Sequence, residues 1–258
     1  MLRDYPYLYE THLHTNQASA CAWNTGYDMA KACHEAGYAG IIVTDHNWGG
    51  YTCVDRALPW ETWVAEYAKG YQDAKRYADE HPDFDVFFGY EAGFSGTEFL
   101  VYGISPEWLA AHPEIRTESM EEHNRLVRAA GGMVIHAHPY REEWYISEIR
   151  LLPEDVDGVE GINATHSNHR STAHNKKEFD DRAVEYANAQ GLPMTAGSDI
   201  HSTKLFGGGV AFKRRITSIQ DYCNAIKSDE DRVLTNGDAV FDKRGKWLYD
   251  LEGQIAGG

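Results

Sequence analysis

Histidines and carboxylates recur in this sequence at one kind of place, directly after a short apolar run. His12 and His14 close YLYETHLH, Asp45 and His46 follow IIVT, Glu91 follows VFFGY, His136 and His138 end MVIHAH, and Asp199 and His201 follow PMTAGS. A lone histidine at such a place is ordinarily a hydrogen-bonded core or surface residue. Pairs two apart on a strand share a face, so His12 with His14, and Asp199 with His201, can each point two donors at one ion. Imidazole mixed with carboxylate suits zinc, manganese or iron, whereas magnesium and calcium sites are built mainly of oxygen ligands.

The elements that must position these residues read as strands and helices in alternation. Leu8 to His14, Tyr38 to Thr44, Asp85 to Tyr90, Phe99 to Gly103, Met133 to Ala137, Val156 to Ile162 and Leu192 to Ala196 read as strands. Between them, Gly26 to Ala36, one long stretch from Trp60 to Glu80, Ser119 to Ala130 and about Lys176 to Ala189 carry helical spacing, the third opening on a capping-box pattern of Ser119 with Glu122. Such alternation implies a parallel α/β sheet, and about seven units in one domain over residues 1–258 favour a barrel. Loops after the C-terminal ends of barrel strands build active sites, which is where the ionisable residues fall.

Composition bounds the function. A chain of 258 residues with 42% hydrophobic residues can bury one substantial core. A formal charge of −16 opposes a broad electrostatic grip on nucleic acid, although a local basic pocket stays open. The N-terminal MLRDYPYLYETHLHT has no basic segment followed by an apolar stretch, and the longest apolar run, around Ala39 to Val43, is too short to span a bilayer. No membrane association is expected, and the reading is cytoplasmic. Cys21, Cys33, Cys53 and Cys223 form no CxxC pair, so neither a disulfide framework nor a zinc ribbon is indicated.

The set His12-Leu13-His14-Thr15, Thr44-Asp45-His46, Gly89-Tyr90-Glu91, Ala137-His138-Pro139 and Gly197-Ser198-Asp199-Ile200-His201 resembles the PHP family, named for polymerase and histidinol phosphatase domains. The resemblance implies a distorted (β/α)7 TIM-like barrel of the PHP type. It also implies two or three divalent metal ions (Mn, Fe or Zn) and hydrolysis of phosphate esters. Carried over residue by residue, one metal takes His12, His14, Glu91 and Asp199, with Glu91 bridging to a second metal also held by His138. A third takes His46 and His201. Where many relatives have a histidine, this chain has Glu98, which the resemblance places at the second metal. After His14 the segment TNQASAC departs from the usual pattern, and Cys21 is either the missing ligand of the third metal or an ordinary small loop residue. His138 beside Pro139 is the ligand of its pair, leaving His136 deeper as a supporting or packing residue. Asp45 is expected to orient a neighbouring ligand imidazole by accepting its distal N–H.

The chemistry expected is attack of a metal-activated water on phosphorus, with Asp199 a ligand and His201 or His46 donating the leaving-group proton if the third metal is absent. Arg141, Arg170 in THSNHRSTAHN, and Lys204 are candidates for binding phosphate oxygens, since guanidinium can do so bidentately. Asn163 and Asn175 could line the same pocket. Trp23, Trp48 and Trp144 fall in loops and have a claim to pocket positions, while Trp60 and Trp63 read as core. A small phosphomonoester such as a sugar phosphate, histidinol phosphate or nucleotide is the expected substrate. A phosphodiester is the closest variant, and a non-catalytic metal-binding regulatory domain is the alternative from another class. Oligomeric state is not legible from this chain.

Overall fold

A computed structural model describes residues 2, 4–117 and 119–251. The first part of the chain runs β1 (Tyr7–Leu13), α1 (Gly26–Glu35), β2 (Gly40–Val43), α2 (Trp60–Tyr67), α3 (Lys69–Glu80), β3 (Asp85–Phe94), β4 (Thr97–Tyr102), α4 (Pro106–Ala111), α5 (Met120–Ala129) and β5 (Met133–Ala137). It continues with β6 (Gly158–Asn163), α6 (Ala164–Ser167), α7 (Lys177–Gln190), β7 (Met194–Gly197), β8 (Gly208–Phe212), α8 (Ile219–Lys227), β9 (Arg232–Asn236), β10 (Ala239–Asp242) and β11 (Trp247–Asp250). Helix starts follow local chemistry: Thr25, Ser105, Ser119 and Ser218 each accept an orphan backbone N–H of the first turn through the side chain. Only half of the expected capping box forms, because the Glu122 carboxylate pairs with Arg125.

All the strands join one sheet in the order β11-β10-β9-β8-β1-β2-β3-β4-β5-β6-β7. The sheet is mixed, which corrects the expectation of a parallel sheet. Pairs β1–β2, β2–β3, β5–β6 and β6–β7 are parallel, whereas β4 runs antiparallel to both neighbours and β8 to β11 form an antiparallel run beside β1. The reason lies in the connection. Only Ser95 and Gly96 separate β3 from β4, both at positive φ (49° and 93°), a tight hairpin turn that admits antiparallel pairing alone. The far edge nonetheless curls back onto β1. His14 N donates to Ile200 O at 2.9 Å, Ile200 N to His12 O at 3.1 Å, and Thr11 Oγ1 to Ala196 O at 2.7 Å. The result is a curled half-barrel with the ends of β1, β2, β3, β5 and β7 gathered together.

The helices cover the sheet. Met29, Ala30 and Cys33 of α1 and Ala74 and Tyr77 of α3 pack on Leu13, Ile41 and Val43, while Trp63, Val64 and Tyr67 of α2 pack on Phe88, Tyr90 and Val101. Each fully buried Ile or Leu of this kind contributes roughly 1.5–3 kcal/mol. The stretch expected as one helix from Trp60 to Glu80 is two, broken at Ala68 (ψ −4°). Gly70 follows the break and lets α3 come close: a Cβ there would sit 2.0 Å from Thr15 Oγ1 and 2.9 Å from Asp45 Oδ2. Among the described residues, no helix is long and apolar enough to cross a membrane.

Candidate metal centre

Glu91 is the hub of the gathered strand ends. Its carboxylate lies 3.2 Å from His12 Nε2, 3.1 Å from His138 Nε2, 2.8 Å from His46 Nδ1 and 3.6 Å from His14 Nε2. Asp199 Oδ1 approaches His12 Nε2 at 3.4 Å and His14 Nε2 at 3.2 Å. Glu98 reaches the same place from β4, 3.6 Å from His138 Nε2 and 3.9 Å from His46 Nδ1. His14, His46 and His201 form a further group with their ring nitrogens mutually within 4.8 Å. Two of these residues, His138 (φ 28°) and Asp199 (φ 53°), sit in the left-handed region that non-glycine residues avoid, a strain that persists where a site demands a particular direction.

These donors fit a cation. His12 Nε2, His14 Nε2, His46 Nδ1 and Glu91 Oε2 are buried and make no hydrogen bond, although each points into the cluster. Buried polar atoms are almost always satisfied, so several orphans facing one point mark a place for a ligand. Imidazole and carboxylate together are the donors of a zinc, manganese or iron site.

Outer partners fix the rings. His12 Nδ1 donates to Glu160 Oε1 at 2.9 Å, which leaves Nε2 bare toward the cluster, and Glu160 Oε2 also accepts the His138 amide at 3.1 Å. Ser19 Oγ donates to Asp45 Oδ1 at 2.7 Å and so accepts from His14 Nδ1 at 3.2 Å and the His46 amide at 3.0 Å. Asp45 therefore corrects its expected role: it meets no imidazole directly, because Ser19 and Thr15 occupy its oxygens, and it acts on His14 through Ser19. His201 Nδ1 lies 2.9 Å from the Asp199 carbonyl, which leaves its Nε2 for the cluster side.

Charge follows the same geometry. Burial would lower the His12 pKa, but the carboxylates of Asp199, Glu160 and Glu91 outweigh it and hold the ring well above its ordinary value. Burial is likewise overcome at His46, chiefly by Glu91. Glu91 and Asp199 are held well below the carboxylate range despite burial, Glu91 by His12 and His46, Asp199 by His12 and Arg141. His14 goes the other way, pushed well down by burial and by His201 and His46. Glu98 is raised by burial and by the charge on Glu91. Protons on His12 and His46 thus supply the positive charge that the carboxylates require.

Beside Asp199 and His201 opens a cleft of 1180 Å³ whose lining includes Trp23, Thr165, Arg170, His174, Lys204 and Phe206. Arg170 and Lys204 line this cleft, Arg170 with Nη2 donating to Phe206 O at 2.8 Å, and Trp23, 80% exposed, stands at the cleft. Arg141 is buried, with Nη2 donating to Asp199 Oδ2 at 2.6 Å, so it is no solvated loop cation. Cys21 is half-buried; burial would raise its thiol pKa, but the His201 and His46 imidazoles against it draw it down. His136 is buried against Phe99 with its pKa pushed down to about 3 by burial, as a packing residue would be. Corrections fall on Trp48, which packs among Trp60, Trp63 and Tyr90, and on Asn163 and Asn175. Asn163 is buried on Glu160, while Asn175 donates to the Asn168 and Ser171 carbonyls. Glu160, Ser19, His166 and Asp180 carry no such signal in the sequence, since none stands directly after an apolar run.

The model of the PHP-associated family matches residues 177–230, a segment that holds Asp199 and His201. A two-domain protein from Bacteroides vulgatus containing a predicted PHP-like metal-dependent phosphoesterase superposes with a TM-score of 0.67 at 14% identity, over 92% of this chain and 67% of that one. A Bifidobacterium adolescentis protein, described as a metal-dependent phosphoesterase, aligns with a TM-score of 0.49 at 16% identity, over 78% of this chain and 90% of that one. An amidohydrolase from Chromobacterium violaceum with bound sulfate and no metal gives 0.47 at 15% identity, over 75% and 87%. No curated protein matches the chain. The chain thus carries a PHP-associated segment over residues 177–230 and shares its fold, over nearly its whole length, with a protein that contains a predicted PHP-like domain.

Proposed function

We propose that this protein is a metal-dependent phosphoesterase that hydrolyses a small phosphomonoester. The observation that carries this reading is the convergence of unpartnered, buried His12 Nε2, His14 Nε2, His46 Nδ1 and Glu91 Oε2 beside an open cleft. His12, His14, Glu91 and Asp199 would hold one cation, Glu91, Glu98 and His138 a second, and His46 with His201 a third. Bound there, divalent cations supply Lewis acidity that activates water and neutralises charge developing on phosphoryl oxygens.

The chain's own residues do the rest. Once a cation displaces the extra proton of His12, Glu160 and Ser19 favour the His12 and His14 tautomers with the remaining proton on Nδ1. Lys204 and Arg170 in the cleft wall provide positive charge for a phosphate in an otherwise acidic molecule. If no third cation is held, His201, at the cleft edge and with its pKa raised by Cys21 and Asp199 against burial, can carry a proton to the departing oxygen. The Bacteroides vulgatus protein with the shared fold contains a predicted PHP-like metal-dependent phosphoesterase, which agrees with this reading. A screen of phosphomonoesters and phosphodiesters with manganese, iron or zinc tests it. Hydrolysis of monoesters is expected. Turnover of diesters alone would overturn the substrate assignment, and no turnover with any metal would overturn the enzyme.

A further inference from the structure

Behind Asp199 runs a chain of buried groups that the chemistry above does not use. Arg141 donates from Nη2 to Asp199 Oδ2 at 2.6 Å and from Nε to His166 Nε2 at 3.0 Å. His166 Nδ1 lies 2.8 Å from Asp180 Oδ1, an oxygen that also accepts the Asn163 amide at 3.2 Å, and Asp180 Oδ2 accepts from Ser167 Oγ at 2.6 Å. Arg141, His166 and Asp180 are 5%, 1% and 3% exposed, so bulk solvent screens these contacts little.

The donors and acceptors allow one arrangement. A guanidinium has donors only, so His166 Nε2 must present its lone pair to Arg141. The imidazole's single proton is then on Nδ1, facing Asp180. Protonation of both nitrogens would set N–H against N–H and a cation beside a cation; burial first, then Arg141 and His138, accordingly hold the His166 pKa well below its ordinary value. At the other end, Arg141 occupies Oδ2 of Asp199 and leaves Oδ1 toward His12 Nε2 (3.4 Å) and His14 Nε2 (3.2 Å).

We propose that His166, backed by Asp180, is a positioning residue that holds Arg141 where it caps one oxygen of Asp199 and reserves the other for the cation. The inference rests on the metal-site reading above. Without the acceptor at His166, Arg141 loses the bond at Nε that fixes its plane, and Asp199 is free to turn away from the single-oxygen geometry. Groups behind a metal ligand act on affinity, and their loss typically weakens it 10–100-fold.

The test compares His166→Gln, which keeps an acceptor at that reach, with His166→Leu, which keeps bulk and removes it. Zinc affinity is measured by competition with a chromophoric chelator, and the melting temperature of the metal-free proteins is recorded alongside. Wild-type-like affinity is expected for the glutamine variant, and affinity weakened about ten-fold or more for the leucine variant. A leucine variant that binds as tightly as wild type, or a glutamine variant no better than leucine, would overturn the proposal. Should the leucine variant fail to fold, long-range ¹H–¹⁵N spectra of the wild-type protein decide. A neutral His166 protonated on Nδ1 supports the arrangement; a proton on Nε2 at neutral pH overturns it. Wild-type protein that binds no zinc would instead overturn the metal-site reading, before any His166 variant is made, and this inference with it.

Discussion

At the scale of single residues, the centre is a balance of protons against an expected cation. Glu91 stays ionised because His12 and His46 are held protonated beside it, and Asp199 because His12 and Arg141 face it. A cation binding these nitrogens must displace those protons. Since the His12 and His46 pKa values are raised, the protons are present at neutral pH, and metal affinity is expected to rise with pH until both rings have lost them. Calorimetry in buffers of differing ionisation heat should therefore record proton release on zinc binding. Zero release with pH-independent affinity would contradict the charge assignment. Glu160 is the second point of leverage, since it anchors the His12 ring and the His138 amide together. Glu160→Ala should weaken metal affinity about 10–100-fold while circular dichroism stays unchanged; unaltered affinity would show that Glu160 serves folding alone.

At the scale of elements, the close approach of α3 to the end of β1 is what supports Ser19 and Asp45 from behind. Gly70→Ala would push a methyl group into Thr15 Oγ1 and Asp45 Oδ2, and overpacking of this kind costs about 1–3 kcal/mol. Urea denaturation should show that loss, with weakened metal binding because Asp45 orders Ser19 and hence His14. Stability within about 0.5 kcal/mol of wild type would mean that the contact relaxes freely. The same elements explain what could be read from the chain. Buried strands β1, β2, β3, β5 and β7 announce themselves as apolar runs, and a polar residue just beyond each is a strand end, so His12, His46, Glu91, His138 and Asp199 were legible. Strand direction was not: β4 looks like any apolar strand, and only the Ser95–Gly96 hairpin turns it antiparallel. Strands β8, β10 and β11 are short and follow no helix pattern that would mark a crossover, and β9 follows α8 yet pairs antiparallel with β8. Glu160 lies inside the strand GVEGIN, and its partner His12 is 148 residues away, a pairing that local pattern cannot express.

At the scale of the whole molecule, the centre draws β1, β3, β4, β5 and the loops after β2 and β7 toward one point, so a bound cation would add to the few backbone bonds that join the far edge of the curled sheet to β1. At a free cation concentration about 100 times the dissociation constant, one such site stabilises by about 2.7 kcal/mol. Chelation should accordingly lower the melting temperature by several degrees, at roughly 2–4 °C per kcal/mol. An unchanged melting temperature would argue against a cation in this position. The net charge of −16 also makes the cleft cations valuable to an anionic substrate. Lys204→Ala should raise KM several-fold with kcat little altered, an effect that shrinks as salt is added. Equal loss in kcat would move Lys204 from binding to the reacting centre.

The most direct measurement titrates metal-free protein with manganese or zinc and follows hydrolysis of a phosphomonoester against bound metal per chain, for wild type and for Asp199→Asn. The account predicts activity that rises with bound metal, saturates at two or three equivalents, and is lost in the variant. Activity indifferent to metal, or undiminished by Asp199→Asn, would contradict it.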